Sequence, residues 1–156
     1  MEKRPLGRSG LQVSRLGLGT MTWGRDTDEI EAADQLKTFV DAGGTLVDTA
    51  AIYGDGDSER VLGGLIGTLI NRDEIVLATK AGISATAGGR SVSNSRAALL
   101  ADLDGSIARL GVDHIDLWQI HRWDESVPLE ETLGALDFAV SSGCALYVHL
   151  QIERLK

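Results

Sequence analysis

Gly17-Leu18-Gly19-Thr20-Met21-Thr22-Trp23-Gly24 joins the first apolar run of the chain to its first helical segment, and its reading decides between two folds. In a doubly wound nucleotide-binding sheet this first turn carries the spacing GxGxxG, which lets the backbone approach a pyrophosphate. The segment lacks that spacing. The other architecture open to alternating strands and helices is a (β/α)8 barrel, whose reactive face is built from the carboxyl ends of its strands.

Working outward, short apolar runs recur at Leu16–Thr20, Leu46–Ala50, Ile75–Lys80, Ile115–His121 and Ala145–Gln151. The segments between them have helical period. From Asp28 to Gly43, Ile30, Ala33, Leu36 and Val40 recur at separations of three and four, with Asp26 or Thr27 as the cap and Gly43-Gly44 as the stop. Ser93 to Leu110 repeats the device through Leu99, Leu103, Ile107 and Leu110, with Gly111 after it. Pro128 suits a first helical turn and precedes Leu129, Leu133, Leu136 and Val140, closed by Gly143. Ser58 to Ile70 reads as a weaker helix, because Gly63, Gly64 and Gly67 each cost about 1 kcal/mol relative to alanine. Such glycines are useful where another backbone packs close. Ahead of the series, Pro5–Arg8 and Gln12–Arg15 flank Ser9-Gly10 and read as a hairpin.

Strand, helix, strand in this rhythm is the pattern of βαβ units on a parallel sheet. The expected fold is α/β: a single domain over residues 1–156 with an N-terminal hairpin, about four βα units and a fifth strand. That is a partial (β/α)8 barrel, since a full one takes roughly 200–250 residues.

Composition narrows the partners. The chain is 43% hydrophobic and 24% charged, as a globular protein is, and no apolar run reaches the about 18–20 residues of a membrane span. Met1-Glu2-Lys3-Arg4-Pro5 lacks the apolar stretch of a signal peptide, so a cytoplasmic location is expected. A net charge of −8 argues against nucleic acid or an anionic membrane as partner. The single Cys144 leaves no internal disulfide and suits a reducing compartment. No CxxC or HExxH occurs, and His114 and His149 form no metal set with His121.

The chemistry sits at the strand ends. Leu46-Val47-Asp48 ends on a carboxylate, Ala78-Thr79-Lys80 on an ammonium and Gln119-Ile120-His121 on an imidazole. In a parallel barrel these three point to one face. Tyr53 follows Asp48 in a short loop ended by Gly54 and can fold over the same mouth. A tyrosine ionises near pH 10 and is a poor proton donor at neutrality. An ammonium about 4 Å away interacts by about 4 kcal/mol at an effective dielectric of 20, which favours the phenolate. Asp48 would hold Lys80, and His121 could orient a carbonyl. Each residue singly suits a structural role; jointly they suit proton delivery to a developing alkoxide. Carbonyl reduction needs that, and the hydride needs a nicotinamide carrier. By alternation Trp118 should pack strand against helix, and Trp123 should border the mouth.

These segments resemble the aldo-keto reductases. Gly44-Thr45-Leu46-Val47-Asp48-Thr49-Ala50-Ala51-Ile52-Tyr53-Gly54 with Ser58-Glu59-Arg60-Val61-Leu62-Gly63 is similar to the family's signature around its aspartate and tyrosine. Leu11–Met21, Ala78-Thr79-Lys80, Gln119–Asp124 and Pro128–Leu133 resemble its opening, lysine, histidine and fourth-helix segments. The resemblance runs from about Gly7 to Gly143. It implies Tyr53 as proton donor, Lys80 and Asp48 as its activators and His121 as the carbonyl-orienting partner. It further implies Gly19, Thr20, Met21 and Asp48 near the nicotinamide, and Trp23, His121 and Trp123 on the substrate side. NADPH, a small-molecule carbonyl substrate and reduction to an alcohol come with the family.

After Gly143 the chain departs from the family pattern. Cys144, Leu146 and His149 stand where the family has other chemistry, and the strand ending in Gly-x-Ser-Asn is absent. The expectation is a truncated chain that lacks most of the usual cofactor site and does not bind NADPH alone. Its outer strands would then be open edges for self-association. The alternative function is a non-catalytic remnant or a regulatory, auxiliary subunit. Glu153 and the terminal basic residues read as a solvated tail.

Overall fold

The chain opens with a hairpin, β1 (Lys3–Pro5) and β2 (Gln12–Ser14), and continues through β3 (Gly17–Gly19), α1 (Glu29–Asp41) and β4 (Leu46–Asp48). Then come α2 (Asp57–Leu65), β5 (Val76–Ala81), a second hairpin of β6 (Ile83–Thr86) and β7 (Gly89–Val92), and α3 (Arg96–Leu110). The series closes with β8 (Ile115–Ile120), α4 (Leu129–Ser141) and β9 (Ala145–His149). This computed structural model describes residues 1–150; Gln151 of the expected fifth strand and the expected tail lie outside them.

Five strands pair in parallel in the order β3-β4-β5-β8-β9. That order never reverses. A doubly wound sheet reverses at its switch point, whereas a barrel adds each new strand beside the last. The helices follow the same rule: α1 packs on α2, α2 on α3, and α3 on α4. The core lies between sheet and helices, where Val47, Leu77, Trp118 and Ile120 of the strands meet Leu36, Leu62, Leu99, Leu103 and Leu136. Trp118 is fully buried there.

Several local expectations are corrected. The first hairpin strand is Lys3–Pro5, not Pro5–Arg8. The Leu6 N–H donates to the Leu11 carbonyl at 2.8 Å and Gly7 takes φ +60°, so the chain turns immediately after Pro5. Helix α1 is capped by Asp28, whose carboxylate accepts from the Glu31 N–H at 2.9 Å. Thr27 is buried instead, its hydroxyl paired with that of Thr22 at 2.9 Å. Ile30 is 77% exposed, and the buried positions of α1 are Ala32 and Leu36. On α4 the buried positions are Thr132, Ala135, Leu136 and Ala139, leaving Leu133 and Val140 exposed. Small residues on that face let the helix approach its neighbours more closely than a leucine stripe allows. The β6–β7 hairpin was not anticipated.

The glycines of α2 divide by what surrounds them. A Cβ on Gly63 would stand 2.6 Å from the Arg109 carbonyl and 2.8 Å from that of Leu110, so α2 lies directly on the end of α3. Gly64 is exposed with nothing within 4 Å. Gly63→Ala should lower stability by about 1–3 kcal/mol through overpacking. Gly64→Ala should raise it by up to about 1 kcal/mol through helix propensity. Urea unfolding of the two variants checks both signs.

Candidate active site

The parallel registers bring the strand ends level. Gly19 pairs with Asp48, Asp48 with Ala78, and Lys80 with Gln119. Alternation along β5 sends Thr79 toward the helices and Lys80 to the opposite face. There the Lys80 ammonium donates to Asp48 Oδ2 at 2.6 Å, to the Thr49 carbonyl at 2.9 Å and to Tyr53 Oη at 3.4 Å. It also stands over the tyrosine ring, 5.0 Å from its centre, so it meets both the phenol oxygen and the ring. The other oxygen of Asp48 accepts from Gln119 Nε2 at 3.0 Å. Both carboxylate oxygens are therefore occupied, and a two-thirds buried aspartate is fixed by side chains of β5 and β8, the next two strands on one side of it.

Tyr53 opens a tight turn, Tyr53–Gly56, that follows β4. The loop is tied to β5, since the Ala51 N–H donates to the Lys80 carbonyl at 3.1 Å. Gly54, Asp55 and Gly56 then take φ of +58°, +53° and +92°, reversing the chain into α2. Such successive left-handed residues are easiest for glycine and tolerable for aspartate.

His121 follows β8 immediately, its N–H donating to the Ala81 carbonyl at 2.9 Å. Its ring meets that of Tyr53 edge-on, with centres 5.7 Å apart and planes at 87°. Burial pushes the imidazole below its ordinary value, the Lys80 ammonium and Arg90 guanidinium push the same way, and Asp48 opposes them. A neutral ring near pH 7 can hydrogen-bond an oxygen without adding charge.

Asp48, Tyr53, Lys80 and His121 are thus brought together. Of the other expected residues, Gly19 and Met21 lie exposed at the end of β3, Met21 at 56%. Thr20 is buried, its hydroxyl 2.7 Å from that of Ser58 and its N–H donating to the Asp48 carbonyl at 3.0 Å. Trp123 is half-buried just beyond His121. Trp23 is not brought to the mouth: its side chain is wholly buried, and its indole N–H donates to Gln35 Oε1 at 2.9 Å. Sequence reasoning missed the bond of Gln119 to Asp48. It also missed Arg90, carried by the β6–β7 hairpin. The Gly88-Gly89 pair before Arg90 was the available signal for that hairpin.

With this geometry in hand, comparison with known proteins is direct. The model of the aldo/keto reductase family matches residues 15–151. The aldo-keto reductase YhdN of Bacillus subtilis (strain 168) is 37% identical over 137 residues, which cover 85% of this chain and 41% of that protein. The L-glyceraldehyde 3-phosphate reductase of Escherichia coli (strain K12) is 39% identical over 153 residues, covering 95% of this chain and 44% of that protein. The holo form of an aldo-keto reductase from Bacillus halodurans superposes with a TM-score of 0.87 at 35% identity, over 97% of this chain and 50% of that one. The chain spans half or less of the length of each.

The depressed His121 titration has a consequence for stability. Unfolding returns the imidazole to its ordinary value of 6.5, so the unfolded chain binds the extra proton first as pH falls. The stabilisation is complete above that value and is lost as pH falls through the folded midpoint, at up to about 1.4 kcal/mol per pH unit. Urea unfolding between about pH 7.5 and 5 should show a shallower loss for His121→Asn than for the natural chain.

Proposed function

The chain belongs to the aldo/keto reductase family, and from that premise we propose that it takes part in the NADPH-dependent reduction of an aldehyde or ketone to an alcohol. The observation that carries the reading is the Lys80 ammonium, hydrogen-bonded at once to Asp48, the Thr49 carbonyl and Tyr53 Oη. A phenol that already accepts from an ammonium has support for the charge left when its proton departs.

In this reading Tyr53 Oη hydrogen-bonds the substrate carbonyl oxygen and passes its proton to that oxygen as it becomes an alkoxide. Lys80 stabilises the phenolate left behind, Asp48 holds Lys80, and Gln119 holds Asp48. His121, neutral, donates to the same carbonyl oxygen and orients it. NADPH, when bound, supplies the hydride that the carbonyl carbon accepts. The residues present fit the nicotinamide end of that cofactor. Gly19 has open space over its Cα and pairs with Asp48, and Met21, two residues on, offers an exposed apolar side chain. Thr20 would hold that turn through its bonds to Ser58 and Asp48. On the substrate side Trp123 and His121 would line the mouth, whereas Trp23 would act only by packing behind it.

The same reading carries a cytoplasmic location, in keeping with the free Cys144, and no helix of the described residues is long and apolar enough to cross a membrane. It also includes pairing of two copies through β3 and β9, the outer strands of the described sheet. Sedimentation velocity reads that pairing as a concentration-dependent dimer.

Titration of the folded chain with NADPH, followed by tryptophan fluorescence, tests the reading together with carbonyl-dependent NADPH oxidation. Saturable binding with turnover upholds the reading against the loss expected from the absent strands, and turnover then falls by about 10²–10⁴-fold in Tyr53→Phe. Turnover undiminished in that variant overturns Tyr53 as donor. A folded chain that binds no NADPH at millimolar concentration overturns the reductase reading for this chain and favours a non-catalytic subunit.

A further inference from the structure

Behind the sheet, on the face away from the carbonyl site, lies a second cluster of charge. Glu59 on α2 is fully buried, and a carboxylate there demands partners. It has two: Thr79 Oγ1 donates to Oε1 at 2.6 Å, and Arg109 Nε donates to Oε2 at 2.7 Å. Thr79 is the residue before Lys80. Two residues beyond Lys80, the Gly82 N–H donates to Asp102 Oδ2 at 2.8 Å. Asp102 and Arg109 both belong to α3, so the backbone on either side of Lys80 is gripped by one cluster.

Arg109 reaches the turn after the tyrosine as well. A Cβ on Gly56 would stand 2.6 Å from Arg109 Cδ and 2.8 Å from Nε, so the arginine stem lies flat against the turn that Tyr53 opens. One guanidinium thus supports the tyrosine turn and, through Glu59 and Thr79, the lysine strand. An apolar filling would stabilise such a place as well or better. What hydrogen bonds and an ion pair add is direction, because they hold at one distance and angle where apolar contacts slide.

We propose that Glu59 and Arg109 are positioning residues that set where the Lys80 ammonium stands relative to Tyr53. The proposal rests on the reading that Lys80 and Tyr53 act together. Its test needs neither cofactor nor turnover, so the two can fail separately.

The probe is the His121 imidazole, followed by proton NMR across its titration and assigned by its loss in His121→Asn. Lys80 of β5, Asp48 of β4 and Arg90 of β7 are the charged groups acting on it, and the Tyr53 ring lies against it. Thr79→Val and Arg109→Lys each loosen the cluster without changing net charge, so a shift reports movement of Lys80 rather than a lost charge. Both should raise the His121 midpoint toward that of Lys80→Met, and Thr79→Val should add nothing in the Lys80→Met background. A folded variant that titrates like the natural chain overturns the proposal, as does an equal shift with Lys80 already removed. If Thr79→Val does not fold, Arg109→Lys decides alone. Absent turnover in the natural chain, with these shifts intact, would defeat the reductase reading and leave this one standing.

Discussion

An ammonium that is 16% exposed must find acceptors for its protons, and Lys80 finds three within one strand spacing. Asp48 comes from β4, the Thr49 carbonyl from the residue after it, and Tyr53 from the turn that follows. None of these contacts survives a one-residue slip of β4 against β5, since a slip would turn Asp48 toward the helices. The register Asp48↔Ala78 is therefore a condition of the site, and the apolar helix-facing residues Val47 and Leu77 enforce it by staying buried.

Two charged layers sit on opposite faces of the same strand. Lys80 and Asp48 face the mouth, while Thr79 binds Glu59 and Arg109 on the helix side. The outer carboxylate, Glu59, is fully buried, whereas the inner one, Asp48, is about one-third exposed, which leaves room for a ligand at the mouth. This division ties β5 to the helix layer on one face and leaves the polar strand ends open on the other. It also explains how a chain of net charge −8 presents cationic groups at its mouth: Lys80 and Arg90 set the local field that His121 feels.

Much of this was legible beforehand. The missing GxGxxG after β3, the carboxylate, ammonium and imidazole at successive strand ends, and the closing glycines of α1, α3 and α4 are all local signals. Local signals survive any packing, because φ > 0 at Gly43 or Gly111 and strand alternation are properties of the chain itself. Helix faces were legible only in part. Ile30, Leu133 and Val140 fit an apolar stripe by spacing yet lie exposed, because which stripe is buried depends on how closely small residues such as Ala32, Ala135 and Ala139 let each helix approach.

By itself the sequence determined the alternation of parallel strands and helices and which polar side chains end those strands, since alternation and period need no partner. Only the tertiary structure decided that Gln119 completes Asp48, that Trp23 turns inward to Gln35, and that Glu59 and Arg109 meet behind Lys80. Those contacts join residues far apart in the chain. They exist because parallel registers and close helix packing bring side chains to one place, and no local pattern encodes that.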